Sequence, residues 1–245
     1  MKDNFSRQAS LYAAYRPVYP QELFEFLLSQ VQQRDAAWDC ATGNGQTAAE
    51  LAKYFISVFA TDISQPQLDQ ASVVPNIVYS LQPAEQTTFE DNSFDLITIS
   101  QALHWFRFDA FYMEAKRVAK PGGLIAAWAY SLLRISPPID ALIGDYHFNT
   151  LKNYWDAERK YVDEEYSTIA FPFTTIQAPP FSIRCYWTLE ELDGYLHTWS
   201  ALQKFIEINQ YDPVPDLIEK IKTHWPGDKA EIIFPVHLKS GRIEK

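Results

Sequence analysis

The sequence has 245 residues, 47% of them hydrophobic and 21% charged, which is enough apolar material for one large domain and argues against a disordered chain. Its 31 acidic against 21 basic residues give a formal net charge of −10, which disfavours sequence-independent binding to a phosphate backbone, so we expect no nucleic-acid partner. No apolar run approaches the roughly 18 residues of a membrane span, so we expect no membrane partner. Cys40 and Cys185 lie far apart, which is typical of a reducing compartment, and we expect a cytoplasmic protein. The oligomeric state stays open.

Residues 1–33 are interpreted as an N-terminal arm and a helix. The arm is rich in tyrosine and proline and contains Tyr15, Arg16 and Tyr19. It is either a surface segment that seals the first helix or a lid over a ligand. Apolar residues then recur at helical spacing from Leu23 to Val31, which predicts an amphipathic helix covering one face of a sheet.

The stretch from Ala36 to Gln46 organises the chain. A short apolar run that carries Asp39 predicts a strand, and Gly43 and Gly45 then predict a tight turn in which the backbone can lie directly against a ligand. A helix is expected over residues 46–55, with its free N–H groups directed at the turn. The pattern also satisfies the loose dinucleotide fingerprint, so at this point the nucleotide is undecided.

Further strands are predicted over residues 56–62, 77–80, 94–100 and 124–129, with helices over 64–71 and 109–118 between them. The run over 94–100 is strongly apolar and β-branched, which is typical of a central strand buried on both faces. Alternating strands and helices in about a hundred residues predict a parallel sheet with helices on both sides. Residues 34–130 are therefore expected to form a cofactor-binding core.

Residues 131–180 show little periodicity and are interpreted as an insertion over the carboxyl edge of the sheet, where an α/β fold keeps its ligands. Residues 181–245 are expected to complete the sheet within a single domain spanning 1–245. There, Thr188-x-x-Glu191 predicts a capping box, as Ser64-x-x-Gln67 does earlier in the chain. A helix over 215–224 and a strand over 232–238 follow, and Pro235 favours an edge or bulge position.

Asp39 and Asp62 end successive strands and should meet at the carboxyl edge of the sheet. A carboxylate at Asp62 can accept two hydrogen bonds from the cis-diol of a ribose. A nicotinamide dinucleotide would use the same residue, but it would bring a pyrophosphate close to Asp39. A ligand that has a positive centre and no phosphate tolerates Asp39 better.

Several ordered motifs over residues 5–130 make the chain resemble the class I S-adenosylmethionine-dependent methyltransferases, in the branch that includes trans-aconitate methyltransferase-like and UbiE-like enzymes. They are Tyr15-Arg16-Pro17-x-Tyr19-Pro20, Asp39-x-Ala41-x-Gly43-x-Gly45-Gln46, Ala60-Thr61-Asp62-x-Ser64, Ala84-Glu85, Ser93-Phe94-Asp95-Leu96-Ile97, His104-Trp105-Phe106 and Lys120-Pro121-Gly122-Gly123. The resemblance implies a Rossmann-like α/β fold with a seven-stranded mixed sheet, parallel except for an antiparallel last strand inserted between strands five and six, flanked by helices and carrying a helical cap.

The resemblance also implies which residues bind the cofactor, S-adenosyl-L-methionine. Around its methionine half it places Asp39, Ala41, Gly43 and Gly45, and it makes Gln46 a cofactor-binding residue as well. On the nucleoside side it places Asp62 on the ribose, Ile63 beside the adenine, Ala84 and Glu85 at the exocyclic edge, and Gln101 facing the sulfonium. Ala41 departs from the family pattern, which has glycine at that position.

Methyl transfer from a sulfonium needs alignment and exclusion of water more than covalent help. His104 is placed to act as a general base, to bind an anion together with Arg16, or simply to pack against Trp105. Arg16 either anchors an acidic substrate or pairs with a surface acid. Tyr15, Tyr19 and Trp105 form an aromatic wall for substrate and sulfonium or belong to the core. The histidines lack metal-ligand spacing, so no metal is expected.

We therefore expect a methyltransferase that acts on a small-molecule acceptor, with oxygen, such as a carboxylate oxygen, as the nucleophile. One alternative is an NAD(P)-dependent oxidoreductase, from which an antiparallel last strand would distinguish it. The other is a non-catalytic adenosylmethionine-binding protein.

Overall fold

The computed structural model describes residues 17–245. Its helices are α1 (Gln21–Gln30), α2 (Gln46–Leu51), α3 (Gln65–Leu68), α4 (Phe108–Val118), α5 (Pro137–Asp145), α6 (Arg159–Asp163), α7 (Leu189–His197), α8 (Ser200–Asn209) and α9 (Val214–Lys222). A 3₁₀ turn covers Leu103–Trp105, and a π-helical turn, Tyr146–Thr150, extends α5. The strands are β1 (Ala36–Cys40), β2 (Ser57–Asp62), β3 (Ile77–Leu81), β4 (Phe94–Ser100), β5 (Ala119–Tyr130), β6 (Thr174–Thr175), β7 (Phe181–Trp187) and β8 (Ala230–Arg242).

The strands form one mixed sheet in the order β3-β2-β1-β4-β5-β8, with β7 and the short β6 both paired to β8. The first five strands are parallel, and β8 runs antiparallel to β5 and to β7. This arrangement confirms the expected class of fold, including the last strand inserted between two earlier ones. The expected seven strands gain an eighth, because residues Thr174 and Thr175 pair with the end of β8.

Two apolar clusters cover the two faces of the sheet. Side chains alternate along the strands, so that Leu96 faces one cluster while Ile97 faces the other. Helix α1 packs on the first face through Leu23 and Leu27, as its periodicity predicted, and α4 covers the second face through Phe111. Strand β4 is buried along nearly its whole length, which explains its strongly apolar sequence.

Several boundaries differ from the prediction. Helix α2 stops at Leu51 and is followed by a turn, and α4 begins with Arg107 at its N-cap and Asp109 inside its first turn. The capping box at Thr188 forms, since the Thr188 N–H donates to Glu191 and the Glu191 N–H donates to Thr188 Oγ1 at 3.2 Å. The one predicted at Ser64 does not, because its side chain makes no cap hydrogen bond to α3.

Pro235 was wrongly expected at an edge, since β8 lies inside the sheet between β5 and β7. Its carbonyl accepts a hydrogen bond from Ser131 N at 3.0 Å, just beyond the last β5 pair, Tyr130 with Val236. The N and C=O of one strand residue point to the same side, so the missing donor of Pro235 faces the end of β5 and leaves the ladder with β7 intact. Across residues 17–245, no helix combines the length and the apolar character needed to cross a bilayer.

Candidate active site

The loop after β1 carries three left-handed residues at alternate positions. Ala41, Gly43 and Gly45 have φ angles of 56°, 58° and 82°. Two glycines fit this geometry without strain, whereas Ala41 adopts it with a Cβ. A Cβ on Gly45 would come within 2.4 Å of the Tyr79 hydroxyl, while one on Gly43 would have Gln67 Oε1 as its nearest neighbour, at 3.9 Å. The space above Gly43 is therefore open to a ligand, and Gln46 lies exposed next to this loop.

Asp39 lies directly beneath this loop and is fully buried. One carboxylate oxygen accepts the Thr42 hydroxyl at 2.5 Å, and the other accepts the Thr98 hydroxyl at 2.8 Å. Burial raises the pKa of Asp39 to about 6, against the lowering effect of these hydrogen bonds and with a smaller contribution from nearby Asp62. With no exposed surface, the side chain supports the loop from below, and the backbone above it forms the wall of the site.

Asp62 ends β2 at the rim of the same loop. Its Oδ2 accepts the N–H of Gly43 at 2.8 Å, and its Oδ1 accepts the N–H of Ser64 at 2.9 Å. The carboxylate thus joins the two loops that follow neighbouring strands. The adjacent Ile63 is half-buried. This is the position expected for a residue that holds a ribose diol, and that role stays a prediction.

The loop after β3 contributes Ala84 and Glu85. Ala84 is buried, and the Glu85 carboxylate accepts the N–H of Arg107 at 3.1 Å. Glu85 therefore joins this loop to the start of α4. Its expected place at the adenine edge is neither supported nor contradicted by that contact.

Gln101, which follows β4, also has a left-handed backbone, with φ at 56°. Its side-chain oxygen accepts the N–H of Tyr130 at 2.9 Å, and its amide nitrogen donates to the Tyr130 carbonyl at 3.4 Å. The amide therefore ties the end of β4 to the end of β5. A strained residue held in place by such a bridge is typical of a functional position.

The 3₁₀ turn after Gln101 carries His104 and Trp105, whose rings lie 4.8 Å apart. His104 is nearly buried, and its Nδ1 lies 2.8 Å from the hydroxyl of Tyr166, which follows α6 in the insertion. Trp105 is only partly buried. The predicted packing of His104 against Trp105 is thus present, together with a hydrogen bond that the sequence did not indicate.

A cleft opens beside these residues, with about 710 Å³ of empty space including its mouth. Gln101, His104, Trp105 and Tyr130 line it from the sheet side. The insertion and the helices after β7 supply the rest: Ser131, Leu132, Trp155, Asp156, Arg159, Val162, Tyr195, Thr198, Trp199 and Ser200. The cleft lies at the carboxyl end of β4 and β5, where α/β sheets bind their ligands.

Arg159 is the cationic side chain of this lining. Its guanidinium lies over the ring of Trp155 at 4.8 Å, and its Nε donates to Asp163 at 3.0 Å. Asp163 also contacts the buried His147 Nε2 at 3.1 Å. Burial opposes ionisation of Asp163, but its contacts with His147 and Arg159 keep the pKa of this carboxyl below its usual value. Within the described residues, the two Nη atoms of Arg159 make no hydrogen bond.

The N-terminal predictions fall mostly on undescribed residues. Tyr15 and Arg16 lie outside residues 17–245. Tyr19 is half-buried and meets Trp128 edge to face, with ring centroids 5.6 Å apart. No cluster of three or more His, Cys, Asp or Glu side chains that could hold a metal ion occurs among residues 17–245.

Comparison with known proteins identifies the family. The match to the methyltransferase domain family covers residues 38–127. This range contains the loop after β1 and most of strands β1 to β5. A Dictyostelium discoideum protein named as a methyltransferase is 33% identical over 245 residues, which cover 96% of this chain and 93% of that protein. The chain belongs to the class I S-adenosylmethionine-dependent methyltransferases.

Other methyltransferases are similar over part or all of the chain. A solved structure described as a type II methyltransferase of Anaeromyxobacter dehalogenans has 35% identity and a TM-score of 0.87, covering 94% of this chain and 99% of its own. The ubiquinone and menaquinone biosynthesis C-methyltransferase UbiE of Hydrogenovibrio crunogenus is 29% identical over 136 residues, or 51% of this chain and 53% of its own. These relatives confirm the predicted family and argue against the oxidoreductase alternative, as does the antiparallel β8.

Sequence reasoning did not single out Trp155 and Arg159, which line the cleft, or Tyr166, which contacts His104. Arg159, Trp155 and Tyr166 all belong to the insertion. Trp155 lies in the turn before α6, which begins at Arg159, so no helical spacing indicated that the two side chains stack. The contact between Tyr166 and His104 joins residues 62 positions apart, and nothing in either local sequence indicates it.

Proposed function

We propose that this methyltransferase binds S-adenosylmethionine at the loop after β1 and transfers its methyl group to an oxygen of a small anionic acceptor, a carboxylate. The observation that carries the proposal is the cleft beside Gln101, because it joins the end of β4 to a guanidinium held over an aromatic ring. A concave cleft at this edge of the sheet suits a small molecule.

The loop after β1 fits the cofactor of the family. The open space above Gly43 suits close approach of a ligand, and Asp62 at the rim suits a ribose diol. Asp39, buried below, disfavours a pyrophosphate at the same place. When bound, adenosylmethionine supplies a methyl group on an excellent leaving group.

The residues of the cleft would then position the acceptor next to the methyl group. Arg159 would hold the acceptor carboxylate through its two Nη atoms, which is one of the two roles that the sequence left open for Arg16. Trp105 and Trp199 would exclude water from the reacting oxygen. A carboxylate is already deprotonated at neutral pH, so no general base is required.

The test is a methyl-transfer assay with purified protein, adenosylmethionine and a panel of carboxylic acids, phenols and amines, with the products identified by mass spectrometry. We expect a methyl ester from one class of acid. An N- or C-methylated product would refute the carboxylate assignment. Failure to bind adenosylhomocysteine in calorimetry would refute the cofactor assignment, and binding without transfer to any acceptor would favour the non-catalytic alternative.

A matched pair of variants tests Arg159. Arg159→Met keeps the stem over Trp155 but removes the charge, so KM for the acid should rise about 10- to 100-fold, as expected from loss of a charge-assisted hydrogen bond. Arg184→Met is the control, since Arg184 pairs with Glu231 on the exposed side of β7. An equal KM for both variants would remove Arg159 from the proposal. We also propose a cytoplasmic location, supported by the free thiols of Cys40 and Cys185.

A further inference from the structure

Three side chains from distant segments of the chain meet beside the cleft. Ser131 directly follows β5 and lines the cleft. His237 belongs to β8, and its Nε2 lies 3.1 Å from the hydroxyl oxygen of Ser131. The other ring nitrogen, Nδ1, lies 3.6 Å from a carboxylate oxygen of Glu165, which follows α6 in the insertion. A hydroxyl, an imidazole and a carboxylate in this order activate the serine of hydrolases with unrelated folds.

The fold fixes these three groups by separate means. Ala129 pairs with His237 in the ladder between β5 and β8, and the N–H of Ser131 donates to the Pro235 carbonyl at 3.0 Å. Ser131 therefore lies diagonally from His237 on the same side of the sheet, within reach of its ring. The backbone of Glu165 is left-handed, with φ at 58°, which is uncommon without glycine. Strain of this kind is concentrated at functional positions.

His237 is in the protonation state that a base requires. Burial lowers the pKa of His237 below its usual value, opposed by Glu165 and assisted by Arg134, so the ring is neutral at pH 7.5. The carboxylate of Glu165 attracts the one imidazole proton to Nδ1, because an ionised carboxylate only accepts hydrogen bonds. Nε2 is then free to accept the hydroxyl proton of Ser131.

An N–H group suited to a developing oxyanion lies next to the serine. Leu132 follows Ser131 and also lines the cleft. Among residues 17–245, the N–H of Leu132 has no hydrogen-bond partner. In α/β-hydrolases the residue after the nucleophile supplies such a donor, and the nucleophile likewise follows a strand of the sheet. The end of β5 therefore offers a nucleophile, a base and an oxyanion donor together.

We propose that Ser131 is an activated nucleophile and that the cleft hydrolyses small carboxylic esters through an acyl group held on Ser131 Oγ. Oγ bonds to the ester carbonyl carbon while its proton passes to His237 Nε2, and the bond to the alcohol oxygen breaks as the alcohol leaves with that proton. Water then adds to the acyl carbon and gives a proton to Nε2. The bond to Oγ breaks, the acid is released and Ser131 regains its proton. Glu165 is a positioning residue, since it acts through His237.

The first probe is a fluorophosphonate, which reacts with activated serine hydroxyls. At pH 7.5 we expect the full chain to gain a phosphonyl group that peptide mass spectrometry maps to Ser131. His237→Gln removes the base and should slow this labelling about 100-fold or more. The control is Ser167→Ala, which removes an exposed serine bonded to the Glu164 carbonyl and should be labelled like wild type. No adduct on Ser131 in wild type, or equal rates in wild type and His237→Gln, would overturn the inference.

The second probe is p-nitrophenyl acetate, which should give a burst of nitrophenolate as Ser131 is acylated. Hydrolysis as fast in Ser131→Ala as in wild type would overturn the inference. The acylation rate should rise with pH as His237 loses its proton. Glu165 raises the pKa of His237, so in Glu165→Gln this rise should move to lower pH, and an unchanged profile would remove Glu165 from the proposal. Neither probe needs adenosylmethionine, so their failure strikes this inference alone, and failure to bind adenosylhomocysteine strikes only the proposed function.

Discussion

Replacing Asp39 by asparagine should make the protein more stable at neutral pH. The carboxyl group is fully buried beneath the loop after β1, and its partners are the hydroxyls of Thr42 and Thr98 rather than a cation. Such a group is penalised when it ionises. Asparagine has nearly the same shape and no charge, so it removes the penalty while it can still accept a hydroxyl.

The magnitude follows from the pKa, which burial raises to about 6 from the usual 3.8. Below pH 3.8, Asp39 is protonated in both folded and unfolded chains. Between these values the folded chain binds the extra proton, so stability is lost as the pH rises through the folded pKa. About two pKa units correspond to about 3 kcal/mol. At neutral pH, Asp39→Asn should therefore have a free energy of unfolding that exceeds that of wild type by this amount. The difference between the two proteins should develop mostly between pH 4 and 7.

The assay is urea unfolding of both proteins at pH values from 4 to 8, followed by the tryptophan fluorescence of the folded core. A difference that is independent of pH, or that falls as the pH rises, would refute the reasoning. Thr98→Val provides a second check, because Thr98 stabilises the ionised form. Without its hydroxyl, the pKa of Asp39 in the folded chain rises further, so the upper end of the pH window in which stability is lost should move upward, while the lower end stays at the pKa of the unfolded chain.

Three further predictions concern the same loop. Ala41→Gly should stabilise the protein by roughly 1 kcal/mol in urea unfolding, since it relieves a left-handed alanine, and an unchanged midpoint would contradict this. Gly45→Ala should lower thermal stability by several degrees, because a Cβ meets the Tyr79 hydroxyl at 2.4 Å and φ is 82°; combining it with Tyr79→Phe should recover only part of the loss. Asp62→Asn should weaken adenosylhomocysteine binding about 10-fold or more in calorimetry, and an unaltered affinity would remove the ribose contact.

The sequence carried good information wherever a local pattern had one physical cause. Strand β4 was predicted over its observed residues because a strand buried on both faces is rich in apolar and β-branched side chains. The glycines after β1 were informative because few other residues adopt positive φ without strain. The Thr188 capping box forms because all of its partners lie within one turn.

The insertion was the part that the sequence did not explain. Its apolar residues are split between the two core clusters, with Ile139 on one face and Tyr166 on the other, so no single periodicity marks them. Helix α8 was also not predicted as a separate element. Only a short turn at Thr198 and Trp199 separates it from α7, so the apolar residues of the two helices follow one another without a break that would mark where the second helix begins.

By itself, the sequence determined the family, the order of the strands over residues 34–130 and the position of the glycine loop after β1, because each depends on neighbouring residues and on the regular period of helices and strands. The tertiary structure alone decided that Asp39 lies beneath the loop, that Arg159 reaches the cleft and that Tyr166 meets His104. These contacts join distant segments, and their geometry depends on how the insertion packs across the carboxyl edge of the sheet.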